Sequence, residues 1–188
     1  SGLLAAHGTH GTTLVVGRFS RKGQVASILD QTVAAYQQDI GITSEFLPTE
    51  NVNPLAGAAG DAADRVADPE LATTEVRAVV AYLRMLAPPA PGELTAQRAR
   101  GQAVFGAIQC ASCHVPSMRT GPSNTAALNQ KPADLYSDLL LHDMGDGLAD
   151  YRPDGSADGR EWRTTPLWGL RIMKDFLNGQ AFLLHDGR

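Results

Sequence analysis

Residues 110–114 read Cys-Ala-Ser-Cys-His, and this run holds both cysteines of the 188-residue chain. The CxxCH pattern is the attachment sequence of c-type haem, whose two vinyl groups each accept one thiol. The histidine after the second cysteine becomes the proximal iron ligand. Cys110, Cys113 and His114 are therefore the predicted haem-binding residues, with His114 as the metal ligand. Such a chain has to fold around a large planar ring bound to one short turn.

Two other chemistries use a CxxC pair. A thioredoxin-like redox pair needs a βαβ setting in which the motif opens a helix, whereas this motif follows a predicted helix and leads into Val115 and Pro116. A zinc site usually needs four protein ligands, and the sequence has no second cysteine pair. A distant histidine added to the motif gives a spacing that matches no common zinc finger. One covalent haem c is therefore the favoured cofactor.

Composition excludes several classes of protein. Hydrophobic residues make up 43% of the chain, enough for a core, while 19 glycines and 11 prolines indicate long loops. The net charge of −4 comes without a basic stripe, which argues against nucleic-acid binding. No apolar run approaches the ~18 residues of a membrane span. The start of the chain lacks the charged and apolar regions of a signal peptide. Because haem c is attached outside the cytoplasm, we expect a periplasmic or otherwise exported protein whose signal has been removed.

Hydrophobic periodicity predicts helices over residues 24–40, 68–86 and 95–109, with shorter ones ending near His142 and between 172 and 184. Residues 1–23 are predicted to be loop or weak strand, and 143–160 to be loop. The expected fold is mainly α: a cytochrome c-like helical haem domain with long loops, preceded by a helical segment. A proline-rich run at 87–91 divides the chain into residues 1–92, the helical segment, and 93–188, the haem domain.

Five side chains are candidates for the sixth iron position, which controls whether a haem transfers electrons or binds small ligands. The candidates are Met118, Met144, His142, Met173 and His185. Met144 lies in a glycine-flanked loop at a spacing typical of methionine ligands in small cytochromes c, so it is the predicted second metal ligand. The alternative is a residue of the pocket wall. Met118 is too close to the motif to reach the opposite face of the ring easily.

Other predicted cofactor-binding residues are Phe105, Arg163, Trp168 and His185. Arg163, like Arg171, has the charge to pair with a haem propionate, or is a solvated surface residue. Trp168, like Trp162, packs on the porphyrin edge, relays electrons, or is simply core. His185 is predicted to bind a haem propionate or to support an iron ligand. The alternative is a hydrogen bond within its own turn.

Two further metal sites are weaker interpretations. The five aspartates of the 143–160 loop are calcium candidates, although their spacing matches no EF-hand and a solvated loop is the alternative. They are Asp143, Asp146, Asp150, Asp154 and Asp158. His7 and His10 have a metal-binding spacing, or belong to a flexible polar terminus.

The run Gly101-x-x-x-Phe105 before CxxCH resembles the first helix of class I cytochrome c domains. Four longer runs resemble the di-haem oxidoreductase family of candidate peroxidases, which is related to bacterial di-haem cytochrome c peroxidases and to MauG. They are residues 39–43, 134–145, 161–170 and 184–188. The resemblance covers roughly residues 14–188 and implies a peroxidase-like oxidoreductase.

The sequence departs from that family in three ways. Members carry two CxxCH motifs and this chain has one, so it resembles the C-terminal part of such a protein. It ends at Arg188, before the helix that supplies the distal ligand of the second haem in related peroxidases, so that ligand is expected to be missing. Residues 17–22 also depart from the aromatic-containing run expected there.

The leading functional hypothesis is an electron-transfer haem domain, since the second haem of the family passes electrons to a peroxidatic first haem. Its expected partner is an electron-transfer protein or a second haem domain. The first alternative is an autonomous monohaem protein with an open iron and weak peroxidase activity, relayed through Tyr136 or a tryptophan. The second is a ligand- or partner-binding module in which the haem is structural. Whether this chain alone is an enzyme is left open.

Overall fold

The computed structural model describes residues 7–10, 13–51, 53–55 and 64–187. Four α-helices and three two-stranded antiparallel sheets lie in these ranges. The fold is mixed α/β, so the prediction of a mainly α fold was wrong. The strands are only two to four residues long, which is too short for the alternating pattern that reveals a strand in a sequence.

The N-terminal hairpin pairs β1 (His7–His10) with β2 (Thr13–Val16), so that His7 lies opposite Val16. This confirms the weak strand expected before residue 23. The side chains of His7 and His10 lie outside the described residues, and their metal-binding role stays a prediction.

Helix α1 (Ile28–Ile40) begins after Ser27, whose side chain accepts a hydrogen bond from the Asp30 amide, rather than at the predicted residue 24. A serine at this position satisfies an amide that the first turn leaves unpaired. The helix ends at Gly41, which adopts the left-handed conformation expected of a glycine cap.

Helix α2 (Thr73–Met85) begins later than the predicted Asp68. Residues before it run extended instead, and Leu71 exchanges backbone hydrogen bonds with Thr43 and Glu45. This pairing keeps the segment out of the helix. Helix α2 packs against α1, and each of the two helices has one buried valine, Val33 in α1 and Val76 in α2.

The second half begins with α3 (Ala96–Ala107), capped by Thr95. Strand β3 (Met118–Arg119) pairs with β4 (Pro132–Ala133), and β5 (Leu141–Asp143) with β6 (Glu161–Arg163). A short helix, α4 (Leu170–Phe176), follows. Among the described residues, none of the helices combines the length and apolar character that a bilayer crossing requires.

The helix predicted to end near His142 does not form, and this correction matters for the site. Tyr136 and Leu139 adopt positive φ angles of 51° and 59°. The side chains of Ser137 and Asp138 accept hydrogen bonds from the Leu139 and Leu140 amides. Such local bonds compete with helical ones. Residues 134–140, which we call the strap, therefore run as irregular backbone toward β5.

The strap and β6 connect distant parts of the chain. The backbone amide of Thr164 donates to Leu140 O, and that of Arg163 donates to Arg21 O, both at 2.9 Å. Residues before α1 thus lie against the C-terminal half, where they contribute to the site.

Candidate functional site

The CxxCH motif lies in a tight turn directly after α3. Gln109, with a φ of 65°, ends the helix, and a 3-10 turn over Cys110–Ser112 follows. The backbone amide of His114 donates to Cys110 O at 2.9 Å and so closes the turn. Both thiols are unpaired and half-buried, as covalent attachment to a ring requires.

His114 is held in one orientation by the strap. Its Nδ1 lies 2.7 Å from the backbone oxygen of Tyr136, which can only accept a hydrogen bond. Nδ1 therefore carries the proton and Nε2 keeps its lone pair, the arrangement that histidine ligands use. Phe105 packs edge-on against both rings, at centroid distances of 6.3 Å to His114 and 5.9 Å to Tyr136. Phe105 thus helps to hold the His114 ring in place.

Cys113 and His114 lie in the wall of a cavity of about 570 Å³, which we call the apolar cavity. Its volume is within the range of about 300–1,000 Å³ typical of cofactor sites. Its lining is mainly aliphatic and aromatic. Most of it comes from β6, from residues 164–168 after β6 and from residues 182–185. The lining side chains include Leu148, Pro166, Leu167, Trp168, Leu170, Met173, Phe182, Leu183 and Leu184.

Several lining side chains remain exposed to solvent. Trp168 is 39% exposed, Phe182 48% and Leu184 57%. Contiguous exposed apolar side chains around a concavity mark a binding site, and a planar porphyrin attached at Cys113 would cover them. The residues present therefore fit a haem.

The structure brings most of the predicted site residues to this cavity. Met144, Arg163, Trp168 and His185 line it, as do the alternative ligands His142 and Met173. The exceptions are few. Cys110, in the turn before Cys113, is not among the lining residues. Phe105 packs against the His114 ring, Met118 lies in β3, and the Arg171 side chain packs against Gly92.

The ring nitrogens of His142 face two different groups. Nε2 lies 2.9 Å from Asp138 Oδ2, and Nδ1 lies 3.9 Å from Cys113 Sγ. One possible ligand atom from each of the three residues lies within 4.8 Å of the other two, a spacing that could hold a metal ion. In this arrangement Asp138 and Cys113 each contact a different ring nitrogen, and they fix the imidazole beside the sulfur of Cys113. Asp138 carries no sequence signal that would have indicated this role.

Trp162 and His185 form one wall of the cavity. Their rings stack at a centroid distance of 3.7 Å and an angle of 14°. The Trp162 indole nitrogen donates to Leu148 O at 3.1 Å, and the Arg21 guanidinium donates to His185 O at 2.6 Å. His185 is thus fixed by residues far away in sequence, which local reading could not anticipate.

The charge of Arg163 is partly withdrawn from solvent. Its guanidinium donates to Ser20 O at 2.7 Å and to Thr164 O at 3.4 Å. Burial lowers the pKa of Arg163. No carboxylate pairs with it among the residues that the structure describes. A cation in the cavity wall that lacks an anion remains suited to a haem propionate.

The calcium-candidate aspartates do not converge. Lys22, which is 5% exposed, donates to Asp150 Oδ1 at 2.8 Å and to the backbone oxygens of Arg152 and Asp158. This hydrogen bond from Lys22, together with the Arg152 amide, lowers the pKa of Asp150. A buried ammonium thus binds three oxygens of the loop.

The remaining aspartates of the loop have other partners. Arg160 pairs with Asp143 at 3.3 Å and with Asp146 at 3.7 Å. Asp154 accepts a hydrogen bond from Gln24.

An apolar cavity with a CxxCH turn and an oriented histidine in its wall defines the class of haem proteins. A family model described as "Di-haem oxidoreductase, putative peroxidase" matches residues 5–188, and the chain belongs to that family. The resemblance found in the sequence is confirmed. Comparison with curated proteins and with solved structures finds no match.

Proposed function

We propose that this chain is a c-type haem domain that transfers electrons within a peroxidase-like oxidoreductase. One observation carries the proposal: the His114 imidazole lies in the wall of the apolar cavity beside Cys113, with Nδ1 held at 2.7 Å by Tyr136 O. This leaves Nε2 as the nitrogen for iron. The family membership supports the haem and the oxidoreductase class.

In this role Cys110 and Cys113 form the two thioether bonds, and His114 is the proximal ligand. The haem supplies one-electron chemistry when bound. The apolar lining excludes water, and Arg163 is placed to bind a propionate. Excluding water and neutralising propionates both tune a haem potential.

For the sixth position the contacts favour Met144 over His142. Both ring nitrogens of His142 already face Asp138 and Cys113, and His185 is stacked on Trp162. Met144 lines the cavity, is 43% exposed, and precedes Gly145, whose φ is 74°. A thioether in this position raises the haem potential and favours electron transfer.

The proposal includes a second redox centre and an exported location. The family is di-haem and this sequence carries one CxxCH, so the electron partner is another haem domain or an electron-transfer protein. Covalent haem attachment supports a periplasmic or otherwise exported site of action.

The competing proposal is a monohaem protein with an open iron and peroxidase-like activity. The exposure of Met144 favours it, because an exposed thioether is free to leave the iron. A high-spin ferric spectrum that responds to peroxide would support this alternative and refute methionine ligation.

The test is optical spectroscopy of the oxidised and reduced chain, with a pyridine haemochrome assay of haem type. We expect haem c, a low-spin spectrum, and the weak charge-transfer band of methionine–iron bonding. Met144→Ala should abolish that band, while Met118→Ala, outside the cavity, should keep it. A chain matured with haem that carries none, or that carries no more than Cys110→Ser/Cys113→Ser, would refute the proposal.

A further inference from the structure

A second cavity adjoins the first at the Trp162–His185 pair. It has a volume of about 640 Å³, and we call it the polar cavity. Ser20, Arg21, Trp162 and His185 line both cavities. The stacked pair is therefore a wall that the two cavities share.

The charges of the polar cavity do not cancel. Its lining holds three cationic side chains, Arg21, Lys22 and Arg152, and two carboxylates. Asp150 pairs with Lys22 at 2.8 Å, whereas the partner of Asp154 is the neutral amide of Gln24 at 2.6 Å. The arginine, lysine and aspartate side chains thus leave one net positive charge. Arg21 donates to a backbone oxygen, which carries no charge to balance it.

Arg152 completes the excess of positive charge. In the described part of the chain its guanidinium has neither a carboxylate partner nor a hydrogen bond. Arg21 and Arg152 thus bring two guanidiniums to one concavity, and among the described residues neither is paired with a carboxylate. Guanidinium groups in this situation bind carboxylates, often with two parallel hydrogen bonds.

The wall adds a second kind of recognition. The indole and the imidazole both line the polar cavity. His185 stacks on the indole, and the Lys22 ammonium lies over the indole at 4.4 Å from its centroid, so the pair offers a ligand its ring edges and the imidazole. Aromatic rings also pack edge-on, with a gain beyond simple burial. We propose that the polar cavity binds a small aromatic carboxylate, held by Arg152 and Arg21 and packed against the Trp162–His185 pair. This site does not require haem to be attached.

Isothermal titration calorimetry of the full chain tests the proposal with sodium benzoate as the probe. We expect one site. Benzyl alcohol, which keeps the ring without the charge, should bind about tenfold more weakly or worse, the usual loss for a charge-assisted hydrogen bond. Acetate, which keeps the charge without the ring, should also bind more weakly.

Arg152→Gln should weaken benzoate binding about tenfold. The matched control is Arg171→Gln, because this arginine is exposed and lies outside the polar cavity; its affinity should be unchanged. If Arg152→Gln does not fold, salt is used on the unmodified chain, where added sodium chloride should weaken benzoate binding and leave benzyl alcohol unaffected.

Three results would overturn the proposal: no binding of benzoate, equal binding of benzyl alcohol, or an equal loss in Arg171→Gln. Equal binding of acetate and benzoate would overturn the aromatic contact. Haem content is measured on the same sample, so the two proposals fail separately. A chain matured with haem that carries none and still binds benzoate refutes the haem role and supports this site.

Discussion

The apolar and polar cavities share the Trp162–His185 wall, but the groups that line them are stabilised in different ways. On the apolar side, Trp168, Phe182 and Leu184 stay exposed around a concavity that the protein does not fill. On the polar side, the Lys22 ammonium fills the centre of the 150–158 loop and binds three oxygens. The apolar side has surface that a bound ring would cover, whereas the polar side is held by protein atoms.

This difference has an energetic basis. Exposed apolar surface costs about 25 cal/mol for each Å² that a ligand would have covered, so the apolar cavity gains stability when its ring is attached. A buried charge is costly unless it is paired and hydrogen-bonded, and Lys22 meets both conditions within the chain. Substitutions on the two sides should therefore separate haem binding from folding.

The largest effect is expected from His114→Ala, which acts on the apolar side alone. Without the imidazole the iron loses its proximal ligand, so nearly all of the low-spin spectrum should be lost. The measurement is the absorption spectrum with the haem content per chain. His185→Ala is the control, since we place that ring in the wall and not on the iron. A variant that lost His114 and kept an unchanged low-spin spectrum would contradict the ligand assignment.

The shared wall is tested by Trp162→Ala. The change removes a stacked ring and a hydrogen bond to Leu148 O, and we expect a loss of about 3 kcal/mol, the low end for a large aromatic residue because Trp162 is only half-buried. Urea unfolding measures it.

Trp168→Ala is the matched control for the wall. Trp168 is exposed and makes a hydrogen bond to Asp134 O, so about 1 kcal/mol is expected. Equal losses of unfolding free energy in the two variants would show that the Trp162–His185 pair stabilises the fold no more than the exposed Trp168 does.

The two sides also differ in how far the sequence predicted them. The roles proposed for His114 and the two cysteines come from a five-residue motif, and α1 and α3 were predicted because caps and apolar spacing are local signals. The Lys22 interaction joins residues separated by 128 positions, and local patterns carry no information about it. Calcium was therefore considered for aspartates such as Asp150, whose partner is an ammonium.

The strap shows a second limit of prediction. Leu135, Leu139 and Leu140 have helical spacing, and a helix was predicted there. In the structure, side-chain bonds from Ser137 and Asp138 and two positive φ angles override that preference. The same irregular backbone turns Tyr136 O toward His114, so the failed helix prediction coincides with the residue that orients the ligand.

The polar side is tested by Lys22→Met, which keeps the aliphatic stem and removes the ammonium. Asp150 and two backbone oxygens lose their donor, and we expect a loss of about 2 kcal/mol in unfolding free energy. Haem content should not change, because the substituted atom faces the polar cavity. Lys131→Met, at an exposed lysine, should have little effect. A loss of haem in Lys22→Met at native stability would contradict the separation of the two sides.

The smallest effect is a pH dependence at Asp150. Its pKa is lowered in the folded chain, first by the hydrogen bond from Lys22 and then by the Arg152 amide, while an unfolded aspartate titrates near about 3.9. The carboxylate therefore contributes stability that is fully present above about pH 4 and is lost as the pH falls through the folded pKa.

We call the fall in unfolding free energy at low pH the acid limb. Asp150→Asn should make the acid limb less steep when unfolding is measured by urea at a series of pH values. Asp175→Asn, at an exposed residue of α4, should leave the limb as steep as in the unchanged chain. In a Lys22→Met background the Asp150 substitution should flatten the acid limb less, because the main donor that lowers the pKa is gone and the Arg152 amide remains. An equal flattening in both backgrounds would mean that the Arg152 amide, and not Lys22, is the main donor that lowers the pKa.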